Sequence, residues 1–194
     1  MRIKNTLCTI LITSDALFPS GDNNSTGKYD IIYNPHGYKE TDYFNVFSIS
    51  ISLKDRGYSI ALIGDGNSYD TDCAVLDDTT LTVLQGWDVI QFNIESAQIV
   101  KRSALDSMGC NFGIFALNGG YLIYGETDIT MLNHDLRRMW SFSGYDIFVS
   151  ITNKPAFEIK ADRICLYDFY DNYYEIDFDG KVIVGPDRYA KTKP

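Results

Sequence analysis

The chain repeats one order of apolar and polar positions. The pattern from Leu76 to Val100 returns from Ala116 to Trp140 after a shift of 40 residues. A looser third copy lies 44 residues beyond the second, around Ile176 to Asp179. These pairs keep their chemical type between the first two copies: Asp78/Asn118, Val83/Ile123, Asp88/Asp128, Val89/Ile129, Phe92/Leu132, Asn93/Asn133, Glu95/Asp135 and Ile99/Met139. The pattern predicts a β-repeat array, because repeats of this length bury their apolar faces only against one another.

Each repeat is predicted to contain up to four short strands. The segments Ser59 to Ile63, Phe112 to Leu117 and Asp146 to Ile151 begin the three copies, and the middle copy lacks a separate second strand. Polar turns follow, and Asn118-Gly119 is a strong hairpin signal because both residues can take positive φ. The segment before the repeats, from Tyr43 to Leu53, alternates apolar and polar residues and predicts a half-buried strand.

Two segments allow an alternative. Ile94 to Met108 has the propensity of a helix, but its register with Asp128 to Trp140 favours a strand, with Asp88 and Asp128 at equivalent positions. Met1 to Lys4 is basic and Leu7 to Thr13 is apolar, as in a signal peptide. That run is short and has no usual cleavage site, so a strand is predicted there. Nothing approaches the length of a transmembrane helix.

These elements predict a mainly β fold, a propeller-like array of about three to four four-stranded antiparallel blades that need not close into a ring. Closed propellers have at least four blades, and an open array would expose edges that favour association. A single domain is expected, with divergent N-terminal strands in 1–55, repeats in 56–105, 106–142 and 143–184, and a tail in 185–194.

The segment Asp128 to Trp140 resembles the repeat of quinoprotein-type β-propellers. In that family, a strand ending in an acidic or amide residue turns into Lys or Arg, two apolar residues and a Trp. Here Arg137, Met139 and Trp140 match, Arg138 replaces one apolar residue, and the usual turn Gly is missing. The resemblance covers about residues 58–184 and implies a fold. It implies no function, and the chain has no counterpart of the family's cofactor ligands, so no cofactor is expected.

Composition excludes several partners. The net charge is −9 and the pI about 4.6, so the surface repels phosphate backbones and anionic lipids, and neither nucleic acid nor membrane is an expected partner. The same field would attract a basic protein. The four cysteines, Cys8, Cys73, Cys110 and Cys165, have no metal or redox spacing. We expect reduced core thiols in a cytoplasmic protein.

Candidate catalytic groups are few. The chain contains two histidines, His36 and His134, both in predicted turns, and no nucleotide-binding or hydrolase motif. Carboxylates crowd two regions, near Asp65 to Asp78 and near Asp168 to Asp179. Paired carboxylates could hydrolyse a glycosidic bond and a cluster could bind a metal, but solvated loops explain both, and no metal site is expected.

The last repeat combines aromatic and acidic residues. Aromatic side chains on strands usually pair across strands, whereas several Tyr beside carboxylates on one edge are typical of a protein interface. The predicted binding residues are Asp168, Tyr170, Asp171, Tyr173, Tyr174 and Glu175.

Three functions remain open. The first is a non-catalytic protein-binding module, such as an acidic immunity or inhibitor protein that captures a basic partner. The second is a carboxylate-dependent carbohydrate-active or metal-dependent enzyme. The third is a structural module completed by self-association. The first is favoured.

Overall fold

The computed structural model describes residues 1–18 and 27–186, which form four β-sheets. The predicted tail lies outside the described residues from position 187 onward. The chain divides into two compact units between Leu105 and Asp106, and each unit contains two sheets.

The first sheet of the first unit contains β1 (Arg2–Lys4), β2 (Cys8–Ser14), β3 (Ile31–Tyr33), β4 (Phe44–Leu53) and β5 (Gly57–Asp65). Its order is β1-β2-β4-β5-β3, antiparallel except for the parallel pair β3 and β5. The strand predicted near the N-terminus is confirmed as β2. The alternation predicted for β4 is also confirmed.

The second sheet is formed by β6 (Ala74–Asp77), β7 (Thr80–Gln85), β8 (Asp88–Asn93) and β9 (Gln98–Ala104), antiparallel and in chain order. The helical alternative for Ile94 to Met108 is wrong, because β9 pairs with β8 over its whole length. Pairing with a neighbour here outweighs local helix propensity.

The second unit repeats this arrangement twice. The third sheet contains β10 (Asn111–Leu117), β11 (Gly120–Gly125), β12 (Ile129–Asn133) and β13 (Arg138–Phe142). The fourth contains β14 (Phe157–Ile159), β15 (Ile164–Tyr167), β16 (Tyr173–Ile176) and β17 (Val182–Val184). Both are antiparallel meanders in chain order. The prediction of a mainly β, propeller-like fold with three to four blades is therefore confirmed.

Each unit has a core shared by its two sheets. In the first unit, Ile12, Ile49 and Ile60 of the first sheet pack with Val83 and Ile90 of the second. In the second unit, Leu122 and Met131 of the third sheet pack with Leu166, Tyr174 and Ile176 of the fourth. Burying such side chains contributes about 1.5–3 kcal/mol each, which is why one blade alone would not be stable.

Three predicted strand assignments are wrong. Ser59 to Ile63 does not begin the first repeat; it lies in β5, because a short turn after β4 makes a hairpin the nearest pairing. The middle copy does not lack a strand. It has four strands, β10 to β13, and the last of them follows the second polar turn. Asp146 to Ile151 is irregular, and its apolar character reflects Phe148, which is buried in the core of the second unit.

The hairpin between β10 and β11 has the predicted chemistry. Asn118 and Gly119 have φ values of 39° and 82°, the left-handed conformation that this pair of residues tolerates. Asp88 begins β8, and Asp128 directly precedes β12. Both therefore lie at the turn between the second and third strands of a blade, and their predicted equivalence is confirmed.

Candidate functional site

The predicted binding segment begins at the turn between β15 and β16. Asp168 is only 1% exposed, and its carboxylate accepts hydrogen bonds from the backbone N–H groups of Tyr170 and Asn172, both at 3.0 Å. The Tyr174 hydroxyl donates to it at 2.7 Å, and the Asn172 amide donates at 2.9 and 3.1 Å. Asp168 thus holds the turn together from inside.

Tyr174 lies in the core. Its ring meets Phe142 and Phe148 edge-on, and its hydroxyl also accepts a hydrogen bond from the backbone N–H of Tyr145 at 2.9 Å. Tyr174 and Asp168 are therefore supports of the segment, and neither offers a surface to a partner.

Tyr173 and Glu175 lie together on the other face of β16. The Tyr173 hydroxyl donates to Glu175 at 2.6 Å, and Arg163 Nη1 donates to the same carboxylate at 2.5 Å. These two bonds hold the pKa of Glu175 below its ordinary value. Burial and hydrogen bonds with Cys165 and Glu175 raise the pKa of Tyr173. The group is internally satisfied.

Tyr170 and Asp171 are the exposed members of the predicted set. Tyr170 is 72% exposed, and Asp171 forms an ion pair with Lys154 at 2.6 Å in which both side chains reach solvent. The Lys154 ammonium also lies 4.7 Å from the centre of the Tyr167 ring. Exposed ion pairs of this kind contribute little stability, so the Asp171 carboxylate can exchange its partner at low cost.

Three exposed rings, Tyr145, Phe169 and Tyr170, form what we call the aromatic patch. Phe169 and Tyr170 meet edge-on with centroids 5.8 Å apart. The Phe169 N–H donates to the Ile147 carbonyl at 2.8 Å. Together with the Tyr145–Tyr174 bond, this places the segment around Tyr145 beside the β15–β16 turn.

A cavity of about 270 Å³ opens next to the aromatic patch. It is lined by Thr127, Gly144, Tyr145, Asp146 and Ile147. Asp146 contributes a carboxylate and Tyr145 an aromatic ring to this lining, and both groups attract a cationic side chain of a partner protein.

The sequence did not predict a second cluster, which we call the Asp88 cluster and which consists of Asp88, His36 and Arg102. Asp88 accepts hydrogen bonds from Arg102 Nε at 2.9 Å and Nη2 at 3.2 Å, and His36 Nε2 lies 2.5 Å from Asp88 Oδ2. The Asp88 hydrogen bond raises the pKa of Arg102, and Tyr33 contributes in the same direction. The sequence placed His36 in a predicted turn and gave it no partner, since nothing local indicates a contact 52 residues away.

Asp128 and Asp70 stabilise a turn and a strand end. Asp128 accepts hydrogen bonds from Ser107, Thr127 and Thr130, and Asp70 accepts one from the Ser14 N–H.

Within residues 1–18 and 27–186, no three His, Cys, Asp or Glu residues are grouped so that they could hold a metal ion. The four cysteines are free thiols, and burial raises the pKa of Cys73 to about 12. In the described part of the chain, no helix is long and apolar enough to cross a bilayer.

Comparisons with known proteins give fold-level likeness alone. No family model matches the chain, and no curated protein matches it. Among solved structures, it is similar to BamB from Moraxella catarrhalis (12% identity, TM-score 0.48, covering 76% of this chain and 50% of that one). It is also similar to the Pan2 WD40 domain of Neurospora crassa (9% identity, TM-score 0.46, covering 74% and 49%).

A computationally designed protein, Ika8, is similar to the same degree (9% identity, TM-score 0.48, covering 77% of this chain and 48% of that one). The chain thus spans about half the length of the structures it matches. At the level of fold, the propeller-like repeat predicted from the sequence is confirmed by the four-stranded antiparallel sheets of the structure itself.

Proposed function

We propose that this chain is a non-catalytic protein-binding module that captures a basic partner through the aromatic patch and the carboxylate of Asp171. The observation that carries this proposal is the contrast within one turn. Tyr170 is 72% exposed, while its own backbone N–H is bonded to the buried Asp168 carboxylate at 3.0 Å.

This arrangement favours binding because the exposed ring stands on a turn that is already ordered. Asp168 binds the turn at Tyr170, Asn172 and Tyr174, so little backbone freedom is lost when a partner docks. Preorganisation of this kind raises affinity by lowering the entropic cost of association. Tyrosine is also among the residues that most often dominate the energetics of protein interfaces.

Charge supports a basic partner. The whole chain has a net charge of −9, which accelerates association with a cationic protein at low salt. Near the patch, Asp146 lines the cavity and Asp171 needs only to exchange Lys154 for a partner's cation. We infer an immunity or inhibitor type of role, in which a small acidic cytoplasmic protein occupies the surface of a basic partner.

The test is affinity capture from the source lysate with three versions of the purified chain as bait: wild type, Tyr170→Ala and Tyr43→Ala. Tyr43 is the matched control because it is 73% exposed and lies in the other unit. We expect one stoichiometric basic protein on wild type and Tyr43→Ala, lost from Tyr170→Ala and weakened by high salt.

A partner retained equally by Tyr170→Ala would contradict the proposal. If no partner is captured, measuring the mass of the purified chain against concentration tests self-association, for which the exposed edge residues Ile183 and Val184 of β17 are candidates. A concentration-dependent dimer would replace the heteromeric reading.

A further inference from the structure

The cavity beside the aromatic patch contains a carboxylate oxygen that accepts no bond. Asp146 Oδ1 accepts the Ile147 N–H at 2.7 Å, which leaves Oδ2. Among the residues that the structure describes, none forms a hydrogen bond or an ion pair with Oδ2. The cavity volume of about 270 Å³ lies just below the roughly 300–1,000 Å³ of pockets that bury a drug-sized ligand. The cavity therefore offers one acceptor, with space for a single side chain of a partner.

The wall of the cavity is fixed before any ligand binds. The Tyr145 N–H donates to the Tyr174 hydroxyl at 2.9 Å. The ring of Phe148 is fully buried, and its N–H donates to the Glu126 carbonyl at 2.6 Å. A Cβ atom at Gly144 would lie 2.9 Å from the Phe148 ring, so only glycine lets the chain pass this close. Binding therefore orders little backbone, which lowers its entropic cost.

The lining selects a planar cation. The Asp146 carboxylate and the Tyr145 ring both line the cavity, and Tyr145 is 44% exposed. A guanidinium donates hydrogen bonds in its own plane and stacks through its faces, so it satisfies a carboxylate and an aromatic ring together. An ammonium is a compact and more strongly hydrated charge, so it gains less from the ring and loses more hydration.

We propose that this cavity is a subsite for the guanidinium of an arginine side chain. Asp146 accepts hydrogen bonds from the guanidinium, and the Tyr145 ring stacks on its face. The inference rests on the proposed function, because the arginine belongs to the basic partner. It adds the chemical group by which that partner is anchored beside the aromatic patch.

The test is an NMR titration of the full chain with N-acetyl-arginine amide at constant ionic strength, read from the backbone amide signals of residues 144–147. The citrulline analogue has nearly the same shape without the charge, and the lysine analogue has the charge without the planar fork. We expect saturation by the arginine compound with a dissociation constant on the order of 10 mM, weaker binding of the lysine compound and no saturation by citrulline. No saturation by arginine, saturation by citrulline, or lysine binding at least as tight as arginine would overturn the proposal.

Two variants test the named contacts. Asp146→Asn removes the charge but keeps Oδ1 for the Ile147 N–H, and should weaken arginine binding at least about tenfold, the loss expected for one charge-assisted hydrogen bond. Asp179→Asn is the matched control, because it changes the net charge equally at an exposed carboxylate outside the cavity. Tyr145→Leu keeps the backbone N–H but removes the ring, and should weaken binding about threefold. Unchanged binding in Asp146→Asn or Tyr145→Leu, or an equal loss in Asp179→Asn, would refute the subsite.

The titration is independent of the affinity capture because it needs no partner protein. Saturation by arginine without a captured basic protein would contradict the proposed function and leave the subsite supported. A captured basic partner without saturation by arginine would contradict the subsite alone.

Discussion

Asp88 and Asp168 lie at the same turn of two different blades, between the second and third strands, and both side chains are buried. Asp88 is satisfied by charged or ionisable groups, Arg102 on the neighbouring strand β9 and His36 from a loop 52 residues away. Asp168 is satisfied by neutral donors within six residues of itself. One position in the repeat therefore serves either to connect distant segments of the chain or to order a local turn, depending on its partners.

The largest loss of stability is expected at the turn that contains Asp168, which we call the neutral turn because its hydrogen-bond donors are uncharged. Asp168→Ala would leave several donors without an acceptor, including the fully buried Tyr174 hydroxyl, and should lower the free energy of unfolding by about 3 kcal/mol. Urea unfolding read from Trp140 in a Trp87→Phe background reports on the second unit. Asp179→Ala, an exposed carboxylate, is the control. A loss below about 1 kcal/mol would show that the turn does not depend on Asp168.

A somewhat smaller loss of stability is expected at the turn that contains Asp88, which we call the charged turn. The partners of Asp88, Arg102 and His36, are partly exposed. Arg102→Met leaves Asp88 buried beside His36 alone and should cost about 2 kcal/mol, below the range for a fully buried pair. Trp87 in a Trp140→Phe background reports on the first unit. The double variant Asp88→Asn/Arg102→Met should recover part of this loss, because it removes the uncompensated charge. A double variant less stable than Arg102→Met would refute the electrostatic explanation.

A smaller effect is expected from one hydrogen bond of the neutral turn. Tyr174→Phe keeps the ring in the core but removes the hydroxyl that joins Asp168 to the Tyr145 N–H, so it should cost about 1 kcal/mol. Tyr170→Phe is the matched control, because its ring is solvent-exposed, and should not change the urea midpoint. Equal midpoints for the two variants would mean that the hydroxyl contributes nothing to the turn.

The smallest effect depends on pH and lies beside the neutral turn. The Tyr173 and Arg163 bonds lower the pKa of Glu175 from its ordinary value of 4.5. The folded-state pKa is thus below the unfolded one, and the stability that Glu175 contributes is present above about pH 4.5 and lost as the pH falls through the folded-state pKa. Glu175→Gln should therefore lower the urea midpoint at neutral pH and have little effect in acid. A difference that grows on acidification would contradict this sign.

Much of the fold could be predicted from the sequence because the repeat is a pattern of apolar positions. The equivalence of Val89 with Ile129 and of Asp88 with Asp128 placed β8 and β12 at the same point of two blades, as observed. The pattern could not show which neighbour a strand pairs with. Residues 59–63 were therefore assigned to the wrong sheet, and Phe148 was interpreted as part of a strand rather than as a core residue.

The candidate site was predicted with the same limits. The segment from Asp168 to Glu175 was recognised by its composition, but composition cannot distinguish a buried acceptor such as Asp168 from an exposed carboxylate such as Asp171. Alternation along β16 separates Tyr173 and Glu175 from Tyr174, but it cannot show which of the two faces is buried. Tyr174 lies at 0% exposure because the fourth sheet packs that face against the third.

By itself, the sequence determined the β-repeat architecture and the positions of the polar turns, since these depend on residues close together in the chain. Only the tertiary structure decided which aromatic rings remain exposed and that His36 meets Asp88 and Arg102. His36 meets Asp88 across 52 residues, and the segment around Tyr145 meets Tyr174 across 29 residues. Contacts at such separations leave no periodic signal in a single sequence.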